Sequence, residues 1–200
     1  VIATSLKVLE MESGENKWID KSLAQTEKLR DLVNSLVSLS RMDEEQSPLK
    51  MCDFSLSDAV SETVGSFADF AAVNGHMLTA EIAPEILYHG DEYAIRQMVS
   101  TLLDNAVKYA SDGSPIRLTL EKGKKGPVLR TVNCCEGLTQ QQADKLFDRF
   151  YRVDQSRTTG GFGIGLSMAR SIAEGHKGSI KATCCEENKI EFTVSLGKCV

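Results

Sequence analysis

Residues 1–46 carry a helical repeat of apolar side chains and contain almost no glycine or proline. Over residues 17–45 the apolar residues recur at spacings of three and four, which predicts one long amphipathic helix. These apolar residues are Trp18, Ile19, Leu23, Leu29, Leu32, Val33, Leu36, Val37 and Leu39. A similar pattern over residues 1–11 predicts a shorter helix, and Pro48 ends the pair because proline disfavours helix at the preceding residue. We therefore expect a helical hairpin over residues 1–46.

The two predicted helices differ in length, so the shorter one can cover only the early half of the longer one. The apolar residues left without a partner in the chain are Leu29, Leu32, Val33, Leu36, Val37 and Leu39. Each of these side chains gains roughly 1.5–3 kcal/mol on burial. We therefore expect a second chain to cover them, as in a dimeric helical bundle.

Residues 49–200 mix strand and helix patterns. Strands are predicted near 50–54, 77–82, 86–89, 115–121, 127–133, 178–185 and 189–196, and helices near 56–73, 91–110, 139–147 and 165–176. The last two strands, joined by E-E-N-K, predict a terminal hairpin. The expected fold class is α+β: an α/β sandwich with helices over one face of a mixed sheet, preceded by a truncated helical hairpin.

The composition limits the classes of function. Lys and Arg number 23 against 28 Asp and Glu, a net charge of −5, so a general nucleic-acid binder is not expected. No apolar run approaches the ~18 residues of a spanning helix. The opening V-I-A-T does not resemble a signal peptide and is interpreted as a position inside a longer protein. The six cysteines include no C-x-x-C, which favours free thiols in a reducing cytoplasm over a zinc site.

A glycine-rich stretch, T-T-G-G-F-G-I-G-L, spans Thr158 to Leu166. Its glycines allow the backbone to approach a phosphate, and a helix starting at Gly165 would direct free N–H groups at an anion. The stretch is not a P-loop and is a poor match to a dinucleotide fingerprint. Since glycine-rich turns are also common in structural loops, the stretch alone leaves both interpretations open.

A second motif, L-L-D-N-A-V-K-Y-A, spans residues 102–110. On a helix, Asn105, Lys108 and Tyr109 project from one face. An amide oxygen, an ammonium group and an aromatic ring suit Mg²⁺, a phosphate and a flat base. The alternative is an ordinary solvated helix face.

A third motif, L-F-D-R-F-Y-R-V-D, spans residues 146–154 just before the glycines. Aromatic residues alternate in it with Arg149 and Arg152. This pattern fits either a turn anchored in the core, with arginines at the surface, or part of a binding site. The lysines at 122, 124 and 125 are interpreted as a solvated strand turn.

Taken together, in this order and spacing, the three motifs resemble the N, F and G2 boxes of sensor histidine kinases, members of the GHKL ATPase superfamily. The G-H-K-G at residues 175–178 fits the same pattern. The hairpin ending L-S-R-M-D-E-E is similar to the second half of that family's dimerisation hairpin. The resemblance covers nearly the whole chain. It implies an ATP-binding catalytic domain over residues 49–200 after a partial dimerisation hairpin over residues 1–46.

The resemblance also implies roles for individual residues. Asn105 would hold the Mg²⁺ that bridges the ATP phosphates, Lys108 and Arg152 would neutralise phosphate charge, and Tyr109 would pack near the adenine and ribose. The residues implied for the edge of the lid and the helix end over the triphosphate are Gly161, Gly163, Gly165 and Leu166. Residues 154–159 would form a mobile lid.

Two departures from the family pattern concern the adenine and the attacking water. The family's adenine-binding motif, Asp-x-Gly-x-Gly, corresponds to N-C-C-E-G here. Asn133 would replace the aspartate that accepts the adenine amino hydrogen. Cys135 replaces the first glycine of the motif, and Gly137 keeps the second. A neutral acceptor is weaker than a carboxylate, and we expect a penalty of roughly 1 kcal/mol in ATP binding. Thr101 lies one helical turn before Asn105, where the related gyrase-type and chaperone ATPases carry the glutamate that activates the attacking water. Threonine cannot act as this base, so ATP hydrolysis should be slow.

The phosphoacceptor is a further departure. In the family it lies in H-E-x-x-T-P-L, just before the place where Val1 begins, whereas the histidines here are His76, His89 and His176. His176 is expected to be structural, and none of the three fits the acceptor.

The resemblance thus implies the cytoplasmic kinase core of a membrane-anchored bacterial sensor histidine kinase. This core would bind Mg²⁺-ATP, form a homodimer and pass the γ-phosphoryl to a histidine absent from this sequence, for relay to a response regulator. The alternative is a degenerate GHKL module that binds nucleotide or dimerises without kinase activity. The long hairpin disfavours the anti-sigma serine kinase branch.

Overall fold

The computed structural model describes residues 2–13, 16–26, 29, 33, 49–153, 162–185 and 188–198. The chain divides into two compact units, residues 1–46 and residues 47–200. In the first unit, α1 spans Ile2–Ser13 and residues 17–26 form a second helix, α2. Most of the predicted long helix, including Leu32, Leu36, Val37 and Leu39, lies outside the described residues. No helix among those described is long and apolar enough to cross a membrane.

The second unit combines seven strands with four helices in its described part. In chain order these are β1 (Cys52–Ser55), α3 (Leu56–Val73), β2 (Leu78–Ile82), β3 (Leu87–Gly90), α4 (Glu92–Tyr109), β4 (Ile116–Gly123), β5 (Gly126–Cys134), α5 (Gln140–Lys145), α6 (Gly165–Gly175), β6 (Ser179–Cys185) and β7 (Lys189–Ser195). Every strand and helix predicted for this unit is present, with bounds within two residues of the prediction.

The strands form a five-stranded sheet in the order β2-β4-β5-β7-β6 and a separate ladder of β1 with β3. In the large sheet β2 and β4 are parallel, and the other neighbours are antiparallel. The predicted mixed sheet and the terminal hairpin of β6 and β7 are confirmed. Since β5 is the central strand, its last residues lie beside both β4 and β7.

Side chains alternate along the central strands because successive residues of a strand point to opposite faces. One face is apolar and buried against the helices, with Leu118 of β4, Leu129 of β5 and Phe192 of β7 at most 1% exposed. The other face is polar, and there Arg130 forms an ion pair with Glu121 at 2.9 Å. The α+β sandwich with helices on one face of the sheet is thus confirmed.

Helices α4 and α6 pack against each other, and α4 also contacts β5. Asp91 caps the start of α4, where its Oδ1 accepts a hydrogen bond from the Ala94 N–H at 3.0 Å. The C-terminal half of α4, the end of β5 and the start of α6 consequently meet in one region of the unit. That region carries the predicted motifs.

Candidate functional site

A pocket of about 370 Å³ opens where α4, β5 and α6 meet. Its lining comes from Thr101, Asp104, Asn105, Lys108, Tyr109, Asn133, Cys135, Glu136, Gly137, Leu138, Leu146, Tyr151, Arg152, Val153, Phe162, Gly163, Gly165, Leu166, Ile190 and Phe192. All three motifs contribute to this one pocket, although residues 102–110 lie far along the chain from the other two motifs. Of the residues proposed from the sequence, Gly161 lies outside the described residues, as do residues 154–159 of the expected lid.

The α4 wall presents Asn105, Lys108 and Tyr109 on one face, as their spacing predicts. The Lys108 Nζ also lies 2.6 Å from Asp104 Oδ2. Both partners are partly exposed to solvent, where such pairs contribute little, so the ammonium group remains available to a stronger anion. Thr101 stands one turn earlier, with its hydroxyl donating to the Gln97 carbonyl at 2.9 Å.

The β5 wall ends in Asn133, which is 2% exposed. Its Nδ2 donates to the Cys134 carbonyl at 3.1 Å. Its buried Oδ1 accepts no hydrogen bond from the described residues. A buried polar atom without a partner costs about 1–3 kcal/mol, so this oxygen is suited to receive a donor from a ligand in the pocket.

The chain beyond Asn133 turns away from the sheet and continues the lining. The Cys135 N–H donates to the Asn188 carbonyl at 2.6 Å, which ties this turn to the start of β7. Gly137 has φ of 72°, a left-handed conformation in which glycine carries no steric penalty. Cys135 and Gly137 both line the pocket.

The described part of the glycine-rich stretch packs closely against its surroundings. Gly163 has φ of 70°, and a Cβ there would lie 2.7 Å from the Tyr151 carbonyl oxygen. A Cβ on Gly165 would lie 3.1 Å from Thr101 Cγ2. Helix α6 begins at Gly165 without a capping side chain from Ile164. Gly165 and Leu166 both line the pocket, so the positive end of this helix is directed at it.

The motif of residues 146–154 fits both of the interpretations that its sequence left open, each with a different part. Phe147 is buried and makes an edge-to-face contact with Phe192, with ring centroids 6.2 Å apart. Tyr151 and Arg152 line the pocket. One part of the motif therefore anchors the turn in the core while the other faces the site.

Sequence reasoning missed the apolar wall of the pocket. This wall includes Leu138, Leu146, Ile190 and Phe192. Ile190 and Phe192 belong to β7, far along the chain from the motifs. Their alternation predicted a strand, but only the pairing of Asn133 with Ile190 across β5 and β7 brings this wall to the site.

The cysteines form neither a disulfide nor, with other side chains, a metal-binding cluster within the described ranges. Cys184 Sγ donates to the Leu138 carbonyl at 3.5 Å. Burial raises the pKa of the Cys184 thiol, which keeps this thiol protonated beside the pocket.

None of the three histidines lines the pocket. His76 is buried, with Nδ1 3.1 Å from the Ser114 carbonyl, and His89 lies 2.6 Å from Asp53 at the surface. His176 is buried, and its ring bonds to the backbone at Asp91 and Ile172. Its expected structural role is confirmed.

The pocket thus combines an apolar wall and a buried acceptor with an amide, two cations and a helix N-terminus. Such a combination fits a flat base and a chain of phosphates. Over residues 90–198 the chain matches the family of histidine kinase-, DNA gyrase B- and HSP90-like ATPases. The chain belongs to this ATPase family.

Curated relatives of this ATPase domain are sensor kinases. The chain is 30% identical over 196 residues to the sensor protein DltS of Streptococcus agalactiae serotype V, covering 98% of this chain and 49% of DltS. It is 28% identical over 192 residues to the signal transduction histidine-protein kinase BaeS of Escherichia coli K12, covering 93% of this chain and 41% of BaeS. The chain spans about half the length of these relatives or less. The resemblance to sensor histidine kinases is confirmed.

Solved structures share the fold of this ATPase domain. The Acinetobacter baumannii histidine kinase AdeS superposes with a TM-score of 0.74 at 24% identity, over 97% of this chain and 93% of AdeS. Full-length ShkA in complex with AMPPNP superposes with a TM-score of 0.81 at 16% identity, over 100% of this chain and 43% of ShkA.

Proposed function

We propose that the chain is the kinase core of a two-component sensor histidine kinase, which binds Mg²⁺-ATP and transfers its γ-phosphoryl group to a histidine outside this sequence. Residues 49–200 would be the ATP-binding catalytic domain and residues 1–46 part of a dimerisation hairpin. The observation that carries the proposal is the convergence on one pocket of Asn105, Lys108, Arg152 and the unpartnered Oδ1 of Asn133.

The adenine would occupy the apolar end of the pocket. Ile190 and Phe192 offer flat apolar surface, and Tyr109 offers a ring that can pack near the base and ribose. Asn133 Oδ1 would accept the hydrogen of the adenine amino group. Gly137 would let the backbone come close to the base.

The triphosphate would lie toward α6. Asn105 would hold Mg²⁺ through its amide oxygen, and the bound ion supplies neutralisation of the phosphate charge. Lys108 and Arg152 would neutralise the remaining charge, together with the N–H groups at the start of α6 near Gly165 and Leu166. Gly161 and Gly163 would complete the edge of the lid. Catalysis in such a site is mainly positioning and charge neutralisation.

Thr101 supports transfer over hydrolysis. A hydroxyl has no capacity to act as a general base at neutral pH, and this one is already bonded to the Gln97 carbonyl. Water in the pocket would therefore be poorly activated at this position. The phosphoryl group would be kept for an acceptor brought to the site.

That acceptor would be supplied from outside this sequence, because none of the three histidines present lines the pocket. We propose that it lies on a helical hairpin, in a homodimer, and that a response regulator then receives the phosphoryl group. The structure of the histidine kinase ThkA in complex with the response regulator protein TrrA has this fold, with a TM-score of 0.73. We further propose that the chain is a cytoplasmic domain of a membrane-anchored sensor, in keeping with its similarity to proteins named sensor proteins.

A regulatory module without kinase activity is the second candidate. Asn133 and Cys135, which replace an aspartate and a glycine of the family pattern, favour it because they weaken the adenine site. A chain whose pocket no longer bound ATP could still form a dimer. The two candidates differ in nucleotide affinity.

Calorimetric titration of ATP, with and without Mg²⁺, tests the nucleotide site. We expect Mg²⁺ to increase the affinity of the unmodified protein and to have little effect in Asn105→Ala. Lys108→Ala should weaken binding about tenfold, since a charge-assisted contact contributes about 1.5 kcal/mol or more. Lys125→Ala is the matched control, because this exposed lysine lies in the β4–β5 turn, outside the lining. Absence of binding up to millimolar ATP would favour the regulatory module.

Transfer is tested by adding a separate helical hairpin that carries the family motif H-E-x-x-T-P-L, together with ATP labelled at the γ-phosphate. We expect acid-labile, alkali-stable label on the hairpin and none on this chain. Asn105→Ala should abolish the label. ATP binding without any label on the hairpin would contradict the kinase proposal while leaving the nucleotide site intact.

A further inference from the structure

The orientation of the Asn133 amide is fixed by its surroundings. Only Nδ2 can donate to a carbonyl oxygen, and it donates to Cys134 at 3.1 Å. The Oδ1 atom is therefore the group left to face a ligand. It is buried and has no partner among the described residues.

We propose that Asn133 sets the base selectivity of the pocket, and that this chain prefers 6-aminopurine nucleotides over 6-oxopurine nucleotides by only about tenfold. The inference rests on the proposed binding of ATP. Its physical basis is that the group that contacts position 6 of the base is a neutral amide, held in one orientation by one hydrogen bond. We therefore expect a measurable but small preference for 6-aminopurines.

A carboxylate at this position would discriminate strongly. Both of its oxygens are acceptors and carry charge, so a 6-oxopurine would bring a carbonyl oxygen against a buried anion. An amide has one acceptor and one donor. If its amide group rotated by a half-turn about the Cβ–Cγ bond, Asn133 would present Nδ2 to the 6-oxo group and donate a hydrogen bond to it.

The half-turn has a limited cost. It breaks the Nδ2 bond to the Cys134 carbonyl and places Oδ1 near that oxygen. The Cys134 carbonyl also accepts from the Ser111 N–H at 2.9 Å, so it keeps a partner after the change. The loss is thus about one neutral hydrogen bond, and a tenfold ratio corresponds to 1.4 kcal/mol.

The neighbouring Thr131 does not add to the discrimination. It lies two residues before Asn133 on the same face of β5, is fully buried, and its Oγ1 has no partner in the described part of the chain. Thr131 is not among the residues that line the pocket, so it does not contact the base, and the choice falls to Asn133.

Competition titrations with ATP and ITP test the inference, because hypoxanthine differs from adenine only in its 6-oxo group and in the N1 hydrogen that accompanies it. For the unmodified protein we expect ITP to bind about tenfold more weakly than ATP, within a range of 3- to 30-fold. In Asn133→Asp we expect ATP to bind more tightly, ITP more weakly, and their ratio to exceed 100-fold. Asn133→Ala introduces no buried charge and should bring the ratio close to one.

Asn105→Ala is the matched control, since it acts at the phosphate end and should weaken both nucleotides without changing their ratio. A ratio above 100-fold in the unmodified protein would overturn the inference, as would a ratio unchanged in both Asn133 variants. Binding of neither nucleotide would overturn the proposed function together with the inference. Tight binding of ATP with the wrong ratio would overturn the inference alone.

Discussion

Gly163 joins the glycine-rich stretch to the turn before it. Its carbonyl accepts from the Phe150 N–H at 2.9 Å, and its φ of 70° lies in the left-handed region. A Cβ there would come within 2.8 Å of the Phe150 carbonyl carbon. The position therefore requires glycine for two reasons, backbone conformation and space.

Gly163→Ala should consequently reduce the free energy of unfolding more than Gly137→Ala does. Gly137 has a similar φ of 72°, but a Cβ there would meet nothing within 4 Å. We expect a loss of about 1–2 kcal/mol for Gly137→Ala from the left-handed conformation alone, and about 1–3 kcal/mol more for Gly163→Ala from overpacking. Urea denaturation measures both. Equal losses would contradict the contact with Phe150.

At the scale of single residues, the sequence predicted the identities of the polar lining well. Asn105, Lys108 and Tyr109 share a face because helical geometry is local and regular. The state of Asn133 was not predictable in the same way. Its missing partner depends on what β4 and β7 place around β5, and only the assembled sheet decides that.

At the scale of elements, the start of α4 is joined to the end of α6. The Asp91 N–H donates to His176 Nε2 at 2.9 Å, and His176 Nδ1 donates to the Ile172 carbonyl at 2.8 Å. Asp91 Oδ2 also accepts from the Lys50 N–H at 2.9 Å. A neutral imidazole satisfies both of its bonds, so His176 connects two helices that line the pocket.

His176→Ala should lower the free energy of unfolding by about 1–3 kcal/mol, because the partly buried Asp91 N–H loses its acceptor and the buried side chain leaves a cavity. His89→Ala is the control. Its bond to Asp53 at 2.6 Å is exposed, and such pairs contribute about 0–1 kcal/mol. Thermal or urea denaturation distinguishes the two. A loss for His176→Ala as small as that for His89→Ala would argue against a stabilising role of His176 between α4 and α6.

The elements of the second unit were predicted to within two residues, since helix and strand periodicities are properties of short segments. Apart from the terminal hairpin of β6 and β7, the pairing of the strands was not predicted. The parallel contact of β2 with β4, and the separation of β1 and β3 into their own ladder, depend on how α3 and α4 cross the sheet. The apolar pocket wall from β7 was missed for the same reason.

At the scale of the whole molecule, the first unit has an apolar stripe on its surface. Trp18, Leu29 and Val33 are 73%, 58% and 49% exposed. On the long helix that the sequence predicts, Leu29 would follow Trp18 by about three turns and Val33 would follow Leu29 by about one, so one helical face would carry all three. The mismatch in helix length predicted uncovered apolar residues at Leu29 and Val33, and the described residues agree with it.

If a second copy covers this stripe, Leu29→Glu with Val33→Glu should convert a dimer into a monomer. Each buried side chain contributes about 1.5–3 kcal/mol, so two losses on each protomer should weaken association by well over 100-fold. Light scattering at micromolar concentration measures the mass. Leu87→Glu is the control, because Leu87 is 67% exposed but belongs to the second unit, and its mass should stay dimeric. A monomeric mass for the unmodified protein would contradict the dimer. In that case the proposed phosphoacceptor would have to reach the pocket without help from this stripe.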